Sequence, residues 1–314
     1  MKYYLCFILA TTGFGVFGQG SNFNSQRNWS RNKKELVFNA GVTQFLGDLG
    51  GKNKIGKDYS LADIDIPSTG VNFGVGYRFR FKPHFATTSL LNFGLLRGDD
   101  NNTTEIARSN RNLHFRSQII TFHQRFEWIV FANEKYGKRF SIAGAKGFKE
   151  HHEQFYVFSG IGVTYFNPQA EYNGSWENLR PLKTEGQGLA GGAKAYGPVT
   201  ASIPFGVGFR MSLAGMWRIG IEATYFKTFT DYLDDVSTVY FDPAILAQEV
   251  SPLAAALSNP STTHPEWYNP GSQRGDNNLD AYFYLNFTIS KNITYRAMSN
   301  KGRIVKYKGG RAKF

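Results

Sequence analysis

Two stretches between residues 202 and 229 alternate apolar side chains with glycine and charge, and a short connection around Ala214 and Gly215 joins them. Successive side chains of a β-strand point to opposite sides, so every second residue shares a face. One face holds Ile203, Phe205, Val207, Phe209 and Met211, then Trp217, Ile219, Ile221, Ala223 and Tyr225. The other holds Gly206, Gly208 and Arg210, then Arg218, Gly220, Glu222 and Thr224. Aromatics near the ends of the apolar face are typical of a hairpin in a membrane-embedded barrel, although a soluble sandwich alternates in the same way.

Six further segments alternate similarly, namely residues 36–46, 71–81, 85–96, 113–131, 155–166 and 281–289. The adjacent Leu90 and Leu91 leave the register of one of them open. With the opening pair, these segments predict an all-β chain, a transmembrane outer-membrane β-barrel of about eight antiparallel strands, which is the smallest usual size for this class. An extra hairpin between residues 132 and 154 would raise the count to ten.

Long and short connections alternate between the predicted strands. Four long ones cover residues 47–69, 98–112, 167–198 and 229–280, whereas two of the other three are short turns. Outer-membrane barrels carry long loops outside the cell and short turns in the periplasm. The sequence therefore predicts long extracellular loops, with both chain ends in the periplasm. A mean hydropathy of −0.36 is compatible with this, because alternating strands and polar loops average to a hydrophilic value.

The first twenty residues have the pattern of a secretory signal peptide. A lysine precedes an apolar run over residues 3–17 that is too short for a comfortable transmembrane helix, and small residues follow. The expected divisions are a signal peptide at 1–20, an N-terminal periplasmic segment at 21–35, the barrel at 36–290 and a basic periplasmic tail at 291–314. No apolar stretch of helix-spanning length follows the signal peptide, so a chain integral to a membrane must form a closed barrel.

Six charged residues fall on the predicted inner face, and we treat them as a lumen charge network. They are Arg78, Arg125, Glu127, Arg210, Arg218 and Glu222. A barrel of eight strands is just wide enough for its own side chains to fill. Carboxylates and guanidinium groups that share such a space can satisfy one another. A plugged, salt-bridged interior is favoured over an ion or proton path.

Positive charge is concentrated near the C-terminus of a chain whose formal net charge is +12. Residues 291–314 contain eight lysines and arginines and no acidic residue, and the candidate partner contacts among them are Lys301, Arg303, Lys306 and Lys308. A simply solvated tail is the favoured interpretation. For a secreted membrane protein, an acidic protein partner or lipid headgroups fit such a run better than nucleic acid does.

The connection over residues 229–280 is rich in acidic residues. It contains Asp231, Asp234, Asp235 and Asp242, together with His264. Oxygen ligands of this kind bind calcium, but the spacing is not that of an EF-hand, and turn formation with side chain to backbone bonding is favoured. A histidine beside a carboxylate can activate water, yet no nucleophile or oxyanion motif accompanies His264. We therefore expect no metal site, no cofactor and no catalytic residue.

Five segments carry specific motifs. They are QFLGDLG at 44–50, RNLHFRSQI at 111–119, YFNPQAEYNGSWENLRPLKTEGQGL at 165–189, IPFGVGFR at 203–210 and KTFTDYLDDVSTVYFDP at 227–243. These segments resemble the PorG-like family of Bacteroidota outer-membrane β-barrels, and the likeness runs from about Leu36 to Ile289. The resemblance implies the barrel fold, and it marks Asp231, Tyr232, Asp234 and Asp235 as a family loop motif. It also implies a part in the type IX secretion system, which exports proteins and, in gliding relatives, supports adhesin movement.

The resemblance further implies an outer-membrane protein that contacts a periplasmic ring, built from the lipoprotein PorK and the protein PorN. It supplies no catalytic residues. The first functional hypothesis is therefore a non-enzymatic barrel in the outer membrane of a Gram-negative bacterium, with ring proteins and outer-membrane lipids as partners and with no nucleic acid or small-molecule substrate. The alternative is a small channel or transport protein, motivated by the charged lumen. A third hypothesis is a hydrolase that uses His264 and the neighbouring aspartates.

Overall fold

The computed structural model describes residues 33–49, 67–103, 105–132, 153–214, 217–276 and 278–293. The strands are β1 (Lys34–Leu46), β2 (Gly70–Lys82), β3 (Phe85–Asp99), β4 (His114–Ala132), β5 (Gln154–Tyr172), β6 (Ser175–Asn178), β7 (Val199–Ala214), β8 (Trp217–Thr228) and β9 (Ala281–Asn292). Eight of them are long, and each pairs antiparallel with its neighbour in the chain. Pairing of β1 with β9 closes the sheet into a barrel. The short β6 only extends the outer end of β5.

The predicted eight-stranded barrel is confirmed. The possible increase to ten is wrong for the barrel wall, because β4 and β5 are bonded directly to each other and leave no place for two strands between them. Residues 133–152, where the extra hairpin was expected, lie outside the described residues, as do the expected signal peptide and most of the basic tail. The wall itself extends from Lys34 to Asn292.

The outer and inner faces follow the alternation seen in the sequence. Large apolar side chains point outward along every long strand, and Ile161 on β5 is 73% exposed. In β3 the structure resolves the open register, since Leu90 is buried and Leu91 is exposed. The outward polar residues Ser89 and Gln124 are hydrogen-bonded to each other across β3 and β4. The outer surface of the wall is therefore a broad apolar belt. The polar pair within it forms a hydrogen bond between its own two side chains.

The two ends of the barrel differ. At the short-turn end, β2 connects to β3 and β7 connects to β8 within a few residues. Aromatic side chains crowd the outer surface there, with Phe81, Phe85 and Phe126 in mutual contact and Lys291 lying over the ring of Trp217. Aromatic girdles of this kind mark the interface between lipid and water.

The long-loop end carries all the described α-helices, which are α1 (Ile106–Arg111), α2 (Leu179–Leu182), α3 (Pro243–Glu249) and α4 (Pro252–Ser258). The first residues of α3 and α4 are prolines, whose missing N–H is not needed there. Asp242 and Ser251 cap these two helices by accepting hydrogen bonds from backbone N–H groups of the first turn. Such caps make compact local structure in a long connection.

Within the described residues, no helix is both long and apolar enough to cross a bilayer.

Candidate functional site

The interior of the barrel at the short-turn end is filled by ion pairs. All six residues of the predicted lumen charge network are buried there. Glu127 lies 2.7 Å from Arg78, 2.7 Å from Arg210 and 3.2 Å from Arg125. Arg125 also holds Glu222 through two parallel hydrogen bonds of 2.7 and 2.8 Å. Such bidentate, charge-assisted bonds are the strong ones in proteins.

Further members of this ion-paired layer were missed from the sequence. Glu35 accepts hydrogen bonds from Arg218 at 2.9 Å and from Arg78 at 3.3 Å. Arg80 donates to the carbonyl of Pro83 in the β2–β3 turn. The sequence could have identified both residues, because every second residue of a strand shares a face. Glu35 precedes the inward-facing Val37 by two residues, and Arg80 follows the inward-facing Arg78 by two.

Aromatic rings complete the same layer. The hydroxyl of Tyr156 donates a hydrogen bond to Glu222, and the guanidinium of Arg210 lies 3.8 Å from the centre of the Tyr156 ring. Arg125 lies 4.2 Å from the centre of the Phe158 ring. Planar arginine over an aromatic face adds cation–π attraction to the ion pairs. The ion pairs and the aromatic rings therefore lie at the same level of the lumen and pack against one another.

The middle of the lumen is occupied by uncharged polar and aromatic side chains. The hydroxyl of Tyr282 lies 2.9 Å from that of Thr121 and 3.1 Å from that of Thr164. The ring of Phe226 stacks on Tyr282 at 4.6 Å and meets His123 edge-on at 5.2 Å. These contacts bridge strands from opposite parts of the wall and leave the interior packed with side chains.

The long-loop end is closed by an apolar cap. The buried cluster that forms it continues down to the rings in the middle of the lumen and consists of Phe45, Leu49, Leu96, Leu113, Phe115, Ile119, Phe166, Phe226, Leu233, Val236, Tyr282 and Tyr284. Four of the motifs that carry the family resemblance supply most of these residues, at 44–50, 111–119, 165–189 and 227–243. The motifs, distant in the chain, therefore meet in one structure. The motifs contain polar residues, as loops do, and also large apolar residues, which are the ones buried in this cap.

A second ion-paired group ties the cap loops together. Arg274 donates to Glu185 at 3.0 Å, and Glu185 accepts from the backbone N–H of Ser237 at 2.9 Å. Arg111 holds Asp100 through bonds of 2.7 and 2.9 Å, and this pairing raises the pKa of the Arg111 guanidinium against the opposing effect of burial. Arg111 also donates to the backbone carbonyl of Arg274 at 2.7 Å, so the group joins the β3–β4, β6–β7 and β8–β9 connections.

The four residues of the predicted family loop motif do not share one task. Asp235 has a left-handed backbone, with φ of 66°, and accepts hydrogen bonds from Thr184 at 2.6 Å and from Tyr196. Burial raises the pKa of Asp235 to about 6. The ring of Tyr232 stacks on Tyr196 at 4.4 Å. Asp234 accepts from the N–H of Val236 at 3.0 Å, so that part of the motif forms a local turn as expected.

Asp231 and Asp234 belong instead to a group of acidic side chains contributed by separate loops, which we call the aspartate cluster. Its members are Asp48, Asp231, Asp234, Asp276 and Asp280. Burial, together with the charge of Asp234, raises the pKa of Asp48 to about 9. Burial raises the pKa of Asp231 to about 8 and, with the neighbouring carboxylates, lifts that of Asp280 well above its usual range.

Two other predicted candidates lie apart from this arrangement. His264 is partly exposed, stacks on Trp267 and has its Nδ1 3.0 Å from Glu266, so its described partner is not one of the aspartates. Asp242 is the cap residue of α3. The candidate partner contacts Lys301, Arg303, Lys306 and Lys308 lie outside the described residues.

A closed antiparallel barrel with an apolar outer belt, an aromatic girdle and a polar, filled interior is a transmembrane β-barrel. Each of its eight long strands is paired on both sides, so the wall exposes no open sheet edge to lipid. Among the described residues, side chains occupy the lumen at three successive levels: the ion-paired layer, the central aromatic layer and the cap.

No protein-family model matches the chain, and no curated protein matches it at a significant level. Among solved structures, the chain is similar to Neisserial surface protein A, with 5% identity and a TM-score of 0.35 over 82% of this chain and 96% of that one. It is also similar to Ail of Yersinia pestis, with 9% identity and a TM-score of 0.33 over 82% and 98%. A major outer membrane protein from Thermus thermophilus matches with 10% identity and a TM-score of 0.35 over 82% and 98%. The architecture rests on the chain's own strand pairing, because likeness at these values carries no argument about function.

Proposed function

We propose that the chain is a non-enzymatic outer-membrane barrel of the type IX secretion system. In this role its short-turn end contacts a periplasmic ring built from a PorK-like lipoprotein and a PorN-like protein. The barrel anchors the ring to the outer membrane for protein export and, in gliding species, for adhesin movement. The particular machine is suggested by the motif resemblance, whereas the structure supports the more general idea of a scaffold.

The observation that carries the scaffold role is the filled interior. Arg78, Arg125 and Arg210 converge on Glu127 within the wall, and the cap packs apolar side chains over the opposite end. A barrel whose described lumen is filled by its own side chains acts through its surfaces. The described surface of the short-turn end displays Lys34 and Lys82, and the basic tail was predicted on the same side. Positive charge there complements an acidic partner and speeds the encounter with it.

The test is cross-linking in native membranes with a tagged chain, followed by mass spectrometry. We expect the ring lipoprotein and ring protein to be recovered with the wild type. Charge reversal of Lys301, Arg303, Lys306 and Lys308 to glutamate is expected to abolish recovery. The matched control is Lys194→Glu, an exposed lysine at the long-loop end, which leaves recovery unchanged. Recovery of no ring protein from cells that contain them contradicts the proposal.

Planar-bilayer recording separates the scaffold from the channel. A lumen occupied by ion pairs and stacked rings predicts no stable conductance from the purified protein. A steady conductance that changes when Glu222 or Arg125 is substituted would replace the scaffold role with a transport role.

A further inference from the structure

The aspartate cluster brings carboxylates from three separate loop segments to one place at the long-loop end. Asp48 follows β1, Asp231 and Asp234 follow β8, and Asp276 and Asp280 precede β9. One carboxylate oxygen from each of Asp48, Asp231 and Asp276 lies within 4.8 Å of the others. Two oxygens that are each about 2.4 Å from a shared ion are separated by at most about 4.8 Å, so this spacing fits the ligand shell of a calcium ion.

Several of these oxygens are buried and have no hydrogen-bond partner. Asp231 is 7% exposed, and neither of its oxygens meets a donor in hydrogen-bonding geometry. Asp234 is fully buried with Oδ2 unpartnered, and Asp280 is 1% exposed with Oδ1 unpartnered. A buried polar atom left without a partner is costly, and a buried carboxylate more so. Buried carboxylate oxygens in this position are candidate ligands for a cation.

The carboxylates of Asp48, Asp231 and Asp276 face one another. The Asp280 carboxylate accepts a hydrogen bond of 2.8 Å from the backbone N–H of Leu233, which ties it to the segment that holds Asp231 and Asp234. The two nearby arginines are engaged by other acids, Arg111 by Asp100 and Arg274 by Glu185. Both guanidinium groups also attract Asp234, but among the described residues neither forms a salt bridge with a member of the cluster.

We propose that the aspartate cluster is a calcium site, with Asp48, Asp231 and Asp276 as ligands and with Asp280 and Asp234 beside them. Calcium suits it better than magnesium, because Ca²⁺ accepts many oxygen ligands in an irregular arrangement, whereas Mg²⁺ demands a near-ideal octahedron. Asp276 is exposed and Asp48 partly exposed, so an ion reaches the site from solvent. Binding would join the β1–β2 connection to both ends of the β8–β9 connection and fix the cap. The proposal does not depend on the secretion role.

Isothermal titration calorimetry of the full chain, folded in detergent and stripped with a chelator, tests the site. We expect one Ca²⁺ per chain with a Kd below about 1 mM, as extracellular calcium modules show, and at least about tenfold weaker binding of Mg²⁺. Asp231→Asn and Asp276→Asn are each expected to weaken calcium binding by about tenfold or more. Asp242→Asn, in the same connection but at the α3 cap, should bind like the wild type.

The shift in electrophoretic mobility on heating, which reports a folded barrel, shows whether each variant folds. If Asp231→Asn does not fold, the exposed Asp276→Asn decides the outcome. The absence of saturable calcium binding to the wild type overturns the proposal, and so does unchanged binding by both variants. Equal affinity for Mg²⁺ overturns the assignment to calcium.

Discussion

At the short-turn end of the lumen, five arginines and three glutamates are buried together, whereas at the long-loop end five aspartates gather, and none of them is in a salt bridge among the described residues. In the first region each glutamate accepts from at least one arginine, and Glu127 lies within salt-bridge distance of three. In the second, oxygens of Asp231, Asp234 and Asp280 are left without a partner. In the first region every carboxylate is paired with a guanidinium group, and the five arginines outnumber the three glutamates by two. A region whose charges share one sign depends on protons or on an ion from outside.

The largest expected effect follows from removing the shared anion of the ion-paired layer. Glu127→Gln leaves Arg78, Arg210 and Arg125 without their common carboxylate, and loss of one partner of a buried pair costs about 3–5 kcal/mol. We expect the urea midpoint of the detergent-folded barrel, followed by tryptophan fluorescence, to fall accordingly. Glu171→Gln, on the exposed surface of β5, is the control and should unfold like the wild type. Equal midpoints for the two variants would show that the layer is not held by charge.

The next effect separates the wall from the cap. Ile161 on the wall is 73% exposed and Ile106 in α1 is 70% exposed, so a soluble protein would tolerate arginine equally at both. In a bilayer, arginine near the midplane of the wall costs about 2–4 kcal/mol, and arginine in a solvated loop costs little. Folding into lipid vesicles, measured by urea titration, should be impaired by Ile161→Arg and unchanged by Ile106→Arg. Equal behaviour of the two variants contradicts the lipid-facing assignment of the wall.

A pH titration in calcium-free buffer sharpens the comparison further. The folded cap raises the pKa of Asp231 to about 8 and of Asp48 to about 9, from an unfolded value of 3.8. Between these values the folded state keeps protons that the unfolded state has released, so the stability contributed by these two carboxyl groups is greatest below about pH 4 and is lost as the pH rises toward 9. The folding equilibrium shifts by up to about tenfold per pH unit for each proton involved. We expect the urea midpoint of the wild type to fall as the pH is raised through this range. The midpoint of a double variant that carries Asp48→Asn and Asp231→Asn should fall less.

The smallest expected effect has the opposite sign from the first. Asp231→Asn replaces a carboxylate with an amide of the same shape, which removes repulsion from Asp48 and Asp276 and can donate to them. In chelator at alkaline pH we expect it to stabilise the chain by about 1 kcal/mol, in contrast to Glu127→Gln. Urea unfolding beside the wild type is the measurement. A loss of stability in chelator would mean that the Asp231 carboxylate is satisfied without an ion.

Much of the wall was predictable from the chain alone. Alternation in β2 assigned Phe73 to the outside and Arg78 to the inside, and the structure agrees, because a strand's side-chain period of two is a local property. Where two apolar residues adjoin, as at Leu90 and Leu91, the local pattern has no answer. Pairing of β3 with β2 and β4 settles it.

What only the tertiary structure decided is which charges meet. Sequence pattern put Arg125 and Glu222 on inner faces, but their bidentate bond depends on how the barrel closes and on the register of every pair between them. The aspartate cluster is a stronger case, since Asp48 and Asp276 lie far apart in the chain and become neighbours only because β1 and β9 close the wall. Faces follow from the covalent geometry of the chain, whereas partners across a lumen follow from long-range closure, which no local pattern encodes.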